Sequence, residues 1–393
     1  MAAIDTFNYE LSYNIKDSVI YQSKPYVFIK EHVAGTPWDI TEVTEVTPNN
    51  FANYQNLYAI LTATKNAINN KMDKNNPTGT GSFSLNRANG STVGINSFTE
   101  GDDCVASGED SHAEGNSTTA SSYYSHAEGY GAIAEGEGSH AEGWVTFAEG
   151  DDSHAEGEST NASGKASHAE GYSTSAKGNY SHAEGQRTTA EGINSHAEGI
   201  YTSAYGNGSH AEGLGTTSNY TIAGADGAHA EGESTVANGS SSHAEGYNTT
   251  ASENYSHAEG DRTLAMEAIS HAEGQKTTAN GYASHAEGVL TVAKGFGSHT
   301  EGYRTTASGQ FSHAGGFSTI ASDNHSTAIG KNNDFQTGDL FEVGNGTADN
   351  ARSNAFRVTA SGEIYDGNGN ISTRLTAVET FINNLGIAEN TSF

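Results

Sequence analysis

A five-residue motif, Ser-His-Ala-Glu-Gly, recurs at strict 14-residue intervals through much of this 393-residue chain. It begins at Ser111, keeps that spacing to Ser209, resumes as Ala228-His-Ala-Glu-Gly after a step of 19 residues, and continues to Ser284. Degenerate copies flank the array and start at Ser97, Ser298, Ser312 and Ser326. Counting all of these starts gives 17 copies. Because self-similarity at a fixed period is the signature of stacked repeats, a repeat architecture is expected.

Each repeat contains two short runs in which small residues alternate with larger ones. Numbered from its Ser, the repeat has small residues at positions 1, 3 and 5 and at 8, 10 and 12, as in Ser167 to Gly178. A spacing of two puts them on one face of a β-strand. The odd–even phase breaks near positions 6–7 and 13–14, which requires corners. Each repeat is therefore predicted to be one coil of two strands and two corners, with the five extra residues inserted around Leu214 to Ser218.

The repeats contain few Leu, Ile, Val or Phe residues, so one copy of the chain cannot build a conventional apolar core. A roll thin enough to be filled by Ser, Ala, Gly and Thr still packs to normal density. Its cohesion is expected to come mostly from backbone hydrogen bonds between coils about 4.8 Å apart, so that the array makes a rod roughly 80 Å long. Such limited apolar burial favours an oligomer.

The Ser-x-Ala-x-Gly pattern resembles the head repeats of trimeric autotransporter adhesins, and the Ser-His-Ala-Glu-Gly array looks like those of phage tail and head fibres. The resemblance covers residues 97 to 330. It implies an all-β fold, a homotrimeric left-handed parallel β-roll of 14-residue coils. The chain departs from the adhesins at positions 2 and 4, where it carries His and Glu in place of their usual Val and Ile.

Short heptad patterns predict coiled-coil segments at both ends of the roll. The first stripe comprises Leu57, Leu61, Thr64 and Ile68, and the second comprises Leu375, Val378, Ile382 and Leu385. Between the roll and the second stripe, residues 339–343 and 355–365 have the pattern of strands in a neck. The predicted organisation is a small β module (1–47), a helical segment with a linker (48–78), the roll (79–330), the neck (331–370) and a short C-terminal coiled coil (371–393).

The first 47 residues resemble the small three-stranded carbohydrate-binding modules that are appended to chitinases and occur in phage structural proteins. The resemblance implies that Tyr21, Tyr26 and Trp38 stack on sugar rings, although the second Trp of that family is missing. The alternative is that these side chains form the module's own small core or its contact with a virion, since aromatic residues in so small a domain are usually structural.

Charge and cysteine content exclude several classes of partner and site. Acidic residues outnumber basic ones 48 to 18, and the net charge of -30 disfavours nucleic acid and anionic membranes. The single cysteine, Cys104, rules out an intrachain disulfide and a four-thiolate zinc site. No transmembrane stretch or signal peptide is visible. The expectation is a protein made in the host cytoplasm, without membrane insertion and without export by the usual route.

The repeated His-Ala-Glu triplet matches half of the zinc deaminase signature, but that site also needs two cysteines. Stacked coils would align His and Glu in rows, which offer ligands for zinc or nickel. We favour instead a structural ladder of imidazole–carboxylate hydrogen bonds, which lowers the pKa of Glu and raises that of His. This predicts no cofactor and far fewer than one metal ion per coil. The ladder residues are His112, Glu114, His126, Glu128, His140, Glu142, His154, Glu156, His168, Glu170, His182 and Glu184.

Aromatic residues cluster at the two predicted corners. Those just after the Gly are Tyr130, Trp144, Tyr172, Tyr247, Tyr303 and Phe317, and those just before the Ser are Tyr124, Tyr180, Tyr255 and Phe311. Tyr130, Trp144 and Tyr172 are candidates for stacking on glycans. The equal alternative is that these rings cover the backbone at the edges of the roll.

These features favour a non-enzymatic bacteriophage fibre of tail or head, localised to the virion. One end would attach to other virion proteins, and the surface would bind a host-cell or mucosal glycan. A trimeric phage polysaccharide depolymerase, a bacterial trimeric surface adhesin and a capsid decoration without a ligand are the alternatives. Depolymerases usually carry bulky side chains in a wide solenoid, whereas this roll is thin. The missing signal peptide and outer-membrane anchor favour a virion over a cell surface.

Overall fold

The computed structural model describes residues 5–6, 18–21, 24–28, 43–45, 59–65, 82–84, 88 and 91–385. The chain divides into two compact units, Met1–Lys74 and Asn75–Phe393. The strands of the first unit are β1 (Asp5–Thr6), β2 (Ser18–Tyr21), β3 (Lys24–Phe28) and β4 (Val43–Glu45). They form one sheet in chain order, with β1 parallel to β2 and the other pairs antiparallel. The sheet thus has one strand more than the modules that this segment resembles.

In the first unit, residues 59–65 are also described; they are helical (α1), and their side chains are exposed. Helix α1 lies within the predicted N-terminal heptad stripe and contains Leu61 and Thr64. The other two stripe residues, Leu57 and Ile68, lie outside the described residues.

Most of the second unit is a parallel β-solenoid in which each coil contributes one long and one short strand. Its strands before the neck are β5 (Phe83–Ser84), β6 (Phe98–Asp102), β7 (Val105–Ala106), β8 (His112–Asn116), β9 (Thr119–Ala120), β10 (His126–Tyr130), β11 (Ile133–Ala134), β12 (His140–Trp144), β13 (Phe147–Ala148), β14 (His154–Glu158), β15 (Asn161–Ala162), β16 (His168–Tyr172), β17 (Ser175–Ala176), β18 (His182–Gln186), β19 (Thr189–Ala190), β20 (His196–Ile200), β21 (Thr202–Ala204), β22 (His210–Leu214), β23 (Thr221–Ala223), β24 (His229–Glu233), β25 (Val236–Ala237), β26 (His243–Tyr247), β27 (Thr250–Ala251), β28 (His257–Asp261), β29 (Leu264–Ala265), β30 (His271–Gln275), β31 (Thr278–Ala279), β32 (His285–Val289), β33 (Val292–Ala293), β34 (His299–Tyr303), β35 (Thr306–Ala307), β36 (His313–Phe317), β37 (Ile320–Ala321) and β38 (Thr327–Lys331).

The strands build two parallel sheets. Even-numbered strands from β6 to β38 pair in register, so that His168 lies beside His182 and Glu170 beside Glu184, one coil apart. The odd-numbered strands β7 to β37 form a second, 16-stranded sheet. The predicted parallel β-roll of 14-residue coils is confirmed.

Small side chains fill the space between the two sheets. The Ala residues at positions 3 and 10, such as Ala169 and Ala176, are 0% exposed, and the Ser at position 1 and the Thr at position 8 are buried with them. Thr side chains account for nearly all of the largest fully buried ones. Because this core is so thin, burial of apolar surface contributes little per coil, and the backbone must supply much of the cohesion.

Backbone hydrogen bonds connect each coil to both of its neighbours. The strand residue His168 donates its N–H to the carbonyl of Ser181 in the following coil, at 2.9 Å. The corner residue Tyr180 donates its N–H to the carbonyl of Lys165 in the preceding coil, at 2.7 Å. The whole solenoid is thereby tied into one hydrogen-bonded stack.

The corners fall at the two predicted phase breaks, and each contains a residue in the left-handed backbone region. In the coil that starts at Ser167 these residues are Ser173, with φ 57°, and Tyr180, with φ 60°. Residues other than Gly rarely adopt such φ values. Here Tyr, Ile, Val, Arg and Lys all do so at equivalent positions of other coils, because their N–H groups bond to the coil before.

The five extra residues of the 19-residue coil lie at 216–220, between β22 and β23. Gly215 still donates its N–H to the carbonyl of Ile200, as position 7 does elsewhere, and Thr221 is fully buried, as position 8 is. The insertion therefore interrupts one corner without disturbing the stack. It begins two residues after the start of the predicted segment.

The neck begins with β39 (Asp339–Asn345), which continues the long-strand sheet in parallel with β38. It then turns antiparallel through β40 (Asn354–Thr359), β41 (Ile364–Asp366) and β42 (Gly369–Asn370). Helix α2 (Ile371–Asn384) follows, with the Asn370 side chain accepting a hydrogen bond from the Thr373 N–H as its N-cap. In the described part of the chain, no helix has the length and hydropathy to span a bilayer.

Candidate functional site: the His–Glu face and the corner aromatics

The outer face of the long-strand sheet is a repeated polar surface, which we call the His–Glu face. It consists of the His at position 2 and the Glu at position 4 of the coils, which point away from the Ala core because strand residues alternate. The His side chains of the His–Glu pairs on this face are 34–40% exposed, and the Glu side chains are 28–50% exposed.

The imidazoles form a continuous stack along this face. Successive ring centroids from His112 to His313 are 4.6–5.0 Å apart, and all pairs but one are close to parallel. The exception is His196 with His210, whose planes meet at 34°. The spacing follows from the distance between paired strands.

The predicted imidazole–carboxylate hydrogen bonds are not formed. His Nε2 and Glu Oε2 within a coil are 3.4–4.0 Å apart, as in the 3.6 Å between His140 and Glu142. Every Nε2 atom from His112 to His313 is shielded from solvent, and none has a hydrogen-bond partner among the described residues. The reason is the register: each imidazole packs against the imidazole of the next coil rather than turning toward its own Glu.

The predicted rise in histidine pKa is wrong for the six histidines that shift. Burial, reinforced by a neighbouring imidazole, lowers the pKa of His126, His154, His182, His210, His243 and His271. A neutral imidazole with a free lone pair is therefore favoured at pH 7.

The glutamate row does not behave as a row of identical anions. Burial and the neighbouring carboxylates raise the pKa of Glu156 to about 7, and they also raise that of Glu128. Contact with Glu156 lowers the pKa of Glu142, which lies between these two. The predicted lowering thus holds in direction for Glu142, although contact with Glu156 contributes more to it than the imidazoles do. It fails for Glu128 and Glu156, where burial is the largest cause and the neighbouring carboxylates add to it.

The corner aromatics are exposed, and several stack from coil to coil. Tyr130 and Trp144 are 46% and 55% exposed, with ring centroids 4.4 Å apart. Tyr172 is 41% exposed, two coils beyond Trp144. A second group lies near the far end, where Tyr303 stacks on Phe317 at 5.1 Å. These rings lie at the edges of the roll with much of their surface open.

The sugar-stacking residues predicted in the first unit are placed only in part. Tyr21 ends β2 and Tyr26 lies in β3, on neighbouring antiparallel strands. Trp38 lies outside the described residues. Carbohydrate binding by this unit stays a prediction.

Sequence reasoning missed two buried carboxyl groups in the neck, Asp339, which pairs with Arg357, and Glu342. Glu342 is 5% exposed, receives the Gln336 N–H at 3.2 Å, and contacts the side-chain amide of Asn333. Burial raises its pKa to about 7. Its alternation with Phe341 and Val343 in a predicted strand was the available signal, but the sequence alone does not show which face of β39 is covered.

A stack of in-register coils with a small-residue core and one repeated polar face defines a solenoid repeat protein. The family model for the YadA head domain repeat, which spans two copies of the repeat, matches residues 183–209, 230–252 and 307–333. All three segments lie in the solenoid. No curated protein matches the chain significantly. The solenoid therefore carries repeats similar to those of an adhesin head.

Proposed function

We propose that the chain forms a homotrimeric fibre in which the solenoid is a rigid shaft that displays a binding surface. The observation that carries this proposal is the unbroken in-register pairing of the long strands from β6 to β38. At the usual strand spacing these coils extend roughly 80 Å along one axis. The YadA-like repeats support an adhesin-like fibre.

Helix α2 supports assembly of several copies. Its heptad stripe, Leu375, Val378, Ile382 and Leu385, is 38–57% exposed in the single chain. Apolar residues at this spacing are stabilised by packing against the same stripe of another copy. The similarity to repeats of trimeric adhesins favours three copies.

Analytical ultracentrifugation of the full chain tests the trimer. We expect a trimer mass for the wild type and dissociation toward the monomer for the double variant Leu375→Asp and Ile382→Asp. The matched control, Thr376→Asp and Thr380→Asp, adds the same charges to other faces of α2 and should remain trimeric. A monomeric wild type would refute the trimer.

We propose the virion of a bacteriophage as the setting, because the Ser-His-Ala-Glu-Gly array resembles those of phage fibres. A bacterial surface adhesin is the second candidate, and the YadA-like repeats favour it at least as well. Antibody against the chain separates the two in electron micrographs of the source culture. Label at one end of rods on virions supports the fibre of a phage, whereas label on the cell envelope supports the adhesin and overturns the virion assignment.

We propose that the displayed ligand is a glycan and that the stacked pair Tyr130 and Trp144 contacts it. Exposed aromatic faces stack on sugar rings, and this pair offers two at one corner. In a glycan array, the double variant Tyr130→Ala and Trp144→Ala should lose at least about tenfold in binding, by analogy with truncated aromatic anchors. Tyr255→Ala, an exposed aromatic on the other corner, is the control. Equal glycan binding by the wild type and the double variant would refute this assignment.

We propose a binding role without catalysis. The trimer is therefore expected to leave the viscosity of capsular polysaccharide and hyaluronan unchanged on prolonged incubation. A loss of viscosity would favour the depolymerase alternative.

A further inference from the structure

The described chain contains three groups in which two imidazoles and one carboxylate converge. They are His140 with Glu142 and His154, His271 with Glu273 and His285, and His285 with Glu287 and His299. Within each group the candidate ligand atoms all lie within 4.8 Å of one another. These groups belong to the His–Glu face, but the fibre function described above makes no use of their chemistry.

The unbonded Nε2 atoms are the observation that points to a ligand. A shielded polar nitrogen without a hydrogen-bond partner is costly, so such atoms in native proteins are usually satisfied by something. In every coil from His112 to His313 this nitrogen is shielded and lacks a hydrogen-bond partner, and a carboxylate oxygen stands near most of them. A cation that accepts the nitrogen lone pair and the carboxylate charge satisfies both groups at once.

The distances suit a transition metal better than a hydrogen bond. Ligand atoms about 2.0–2.1 Å from a tetrahedral zinc ion lie about 3.4 Å from each other. Nε2 of His140 is 3.6 Å from Oε2 of Glu142, and the corresponding distance between His271 and Glu273 is 3.8 Å. The next imidazole in each group is one coil away, with centroids 4.7 Å and 4.6 Å apart. Tilting the two rings together by about 1 Å completes the set, and the broad χ2 preference of His allows it.

We propose that the His–Glu face binds divalent transition-metal ions, zinc in particular, through two His and one Glu per ion at these groups. Imidazole and carboxylate are accepted zinc ligands, and water completes the coordination. Two of the groups share His285, so they cannot both hold an ion at the same time. The chain is expected to take up about two ions in this way, far fewer than one per coil.

Isothermal titration calorimetry of the untagged, chelator-treated full chain with zinc chloride at pH 7.5 tests the proposal, with cobalt chloride as a spectroscopic probe. The wild type is expected to bind about two ions per chain and to give the visible bands of low-symmetry cobalt sites with nitrogen and oxygen ligands. The double variant His140→Gln and His285→Gln breaks all three groups and should lose both ions. His325→Gln, on an exposed corner outside the face, should bind as the wild type does.

Absence of zinc uptake by the wild type, or equal uptake by the double variant and the wild type, overturns the proposal. Circular dichroism shows whether the double variant keeps its β spectrum. If it does not, Glu142→Gln alone should halve the stoichiometry, and an unchanged stoichiometry in that variant also overturns the proposal. None of these outcomes depends on whether the chain is a virion fibre.

Discussion

The glycine at repeat position 5 is the residue whose substitution should destabilise the stack most. Gly171 is a representative case. Its φ is 115°, a backbone conformation that residues other than glycine rarely adopt. A Cβ added at Gly171 would lie 2.1 Å from the carbonyl oxygen of Gly185 in the next coil. Gly171→Ala therefore combines backbone strain with a collision between backbones that cannot move apart independently.

The magnitude follows from these two effects. The unfavourable backbone conformation costs about 1–3 kcal/mol. Relief of the collision requires the two coils to separate by about 1 Å, which breaks the flanking hydrogen bonds from His168 to Ser181 and from Arg187 to Tyr172. Each such bond contributes about 1 kcal/mol. The expected local destabilisation is about 3–5 kcal/mol.

Hydrogen–deuterium exchange of the full chain measures this effect coil by coil. In a solenoid each repeat contacts only its neighbours, so the loss should be confined to the coils that start at Ser167 and Ser181 and those beside them. A destabilisation of 3–5 kcal/mol corresponds to a loss of protection of about 140- to 3,700-fold. Coils beyond Ser284 should keep wild-type protection.

Gly208→Ala is the matched control. Gly208 also has positive φ, 60°, but an added Cβ there would meet nothing within 4 Å. Ala166 occupies the equivalent corner of another coil at φ 50°. The control should lose only about 1–2 kcal/mol. Equal loss of protection in the two variants, or no loss in Gly171→Ala, would show that the close approach of the coils is not the reason for glycine at this position.

Three further predictions follow from buried groups. Cys104 is fully buried at position 8, where most coils carry Thr. A thiol reagent should therefore label Cys104 only when its coil opens. Rapid stoichiometric labelling of the native chain would contradict this. Because burial raises the pKa of Glu342 to about 7, the contribution of Glu342 to neck stability should be greatest below about pH 4.5 and be lost as pH rises through 7. Glu342→Gln should remove that dependence in exchange of β39 and β40 between pH 5 and 8, and an unchanged dependence would rule out Glu342 as its source. Since the pKa of His154 is lowered, its contribution to stability should be present above pH 6.5 and lost below it, and an NMR titration midpoint at or above 6.5 would contradict this.

The solenoid could be predicted from sequence because side-chain size reports directly on backbone geometry. Alternation of Ser167, Ala169 and Gly171 identifies the inward face of one strand, and the phase breaks identify both corners. The left-handed conformations of Tyr180 and Ile269 could not be predicted in this way. Neither residue favours positive φ, and the conformation is imposed by hydrogen bonds to the preceding coil.

The chemistry of the His–Glu face was harder to predict because it depends on which neighbour each side chain prefers. When one strand is considered alone, the predicted partner of His140 is Glu142, two residues away. In the stack, His140 instead lies against His126 and His154, with parallel rings. Strand spacing of about 4.8 Å suits stacked rings, and this competing contact leaves the imidazole nitrogen without its predicted partner.

Identical coils in register make contacts between like residues the dominant ones, and this has a consequence for charge. Two carboxylates about 4.8 Å apart repel by about 1 kcal/mol even in bulk water, and the repulsion accumulates along a row. Burial, together with this repulsion, raises the pKa of Glu128 and Glu156, while the pKa of Glu142 between them is lowered. A divalent cation relieves the same repulsion without protonation. The row of carboxylates and the row of unbonded imidazole nitrogens therefore favour the same occupant, and zinc uptake is expected to shift Glu156 back toward the ionised form.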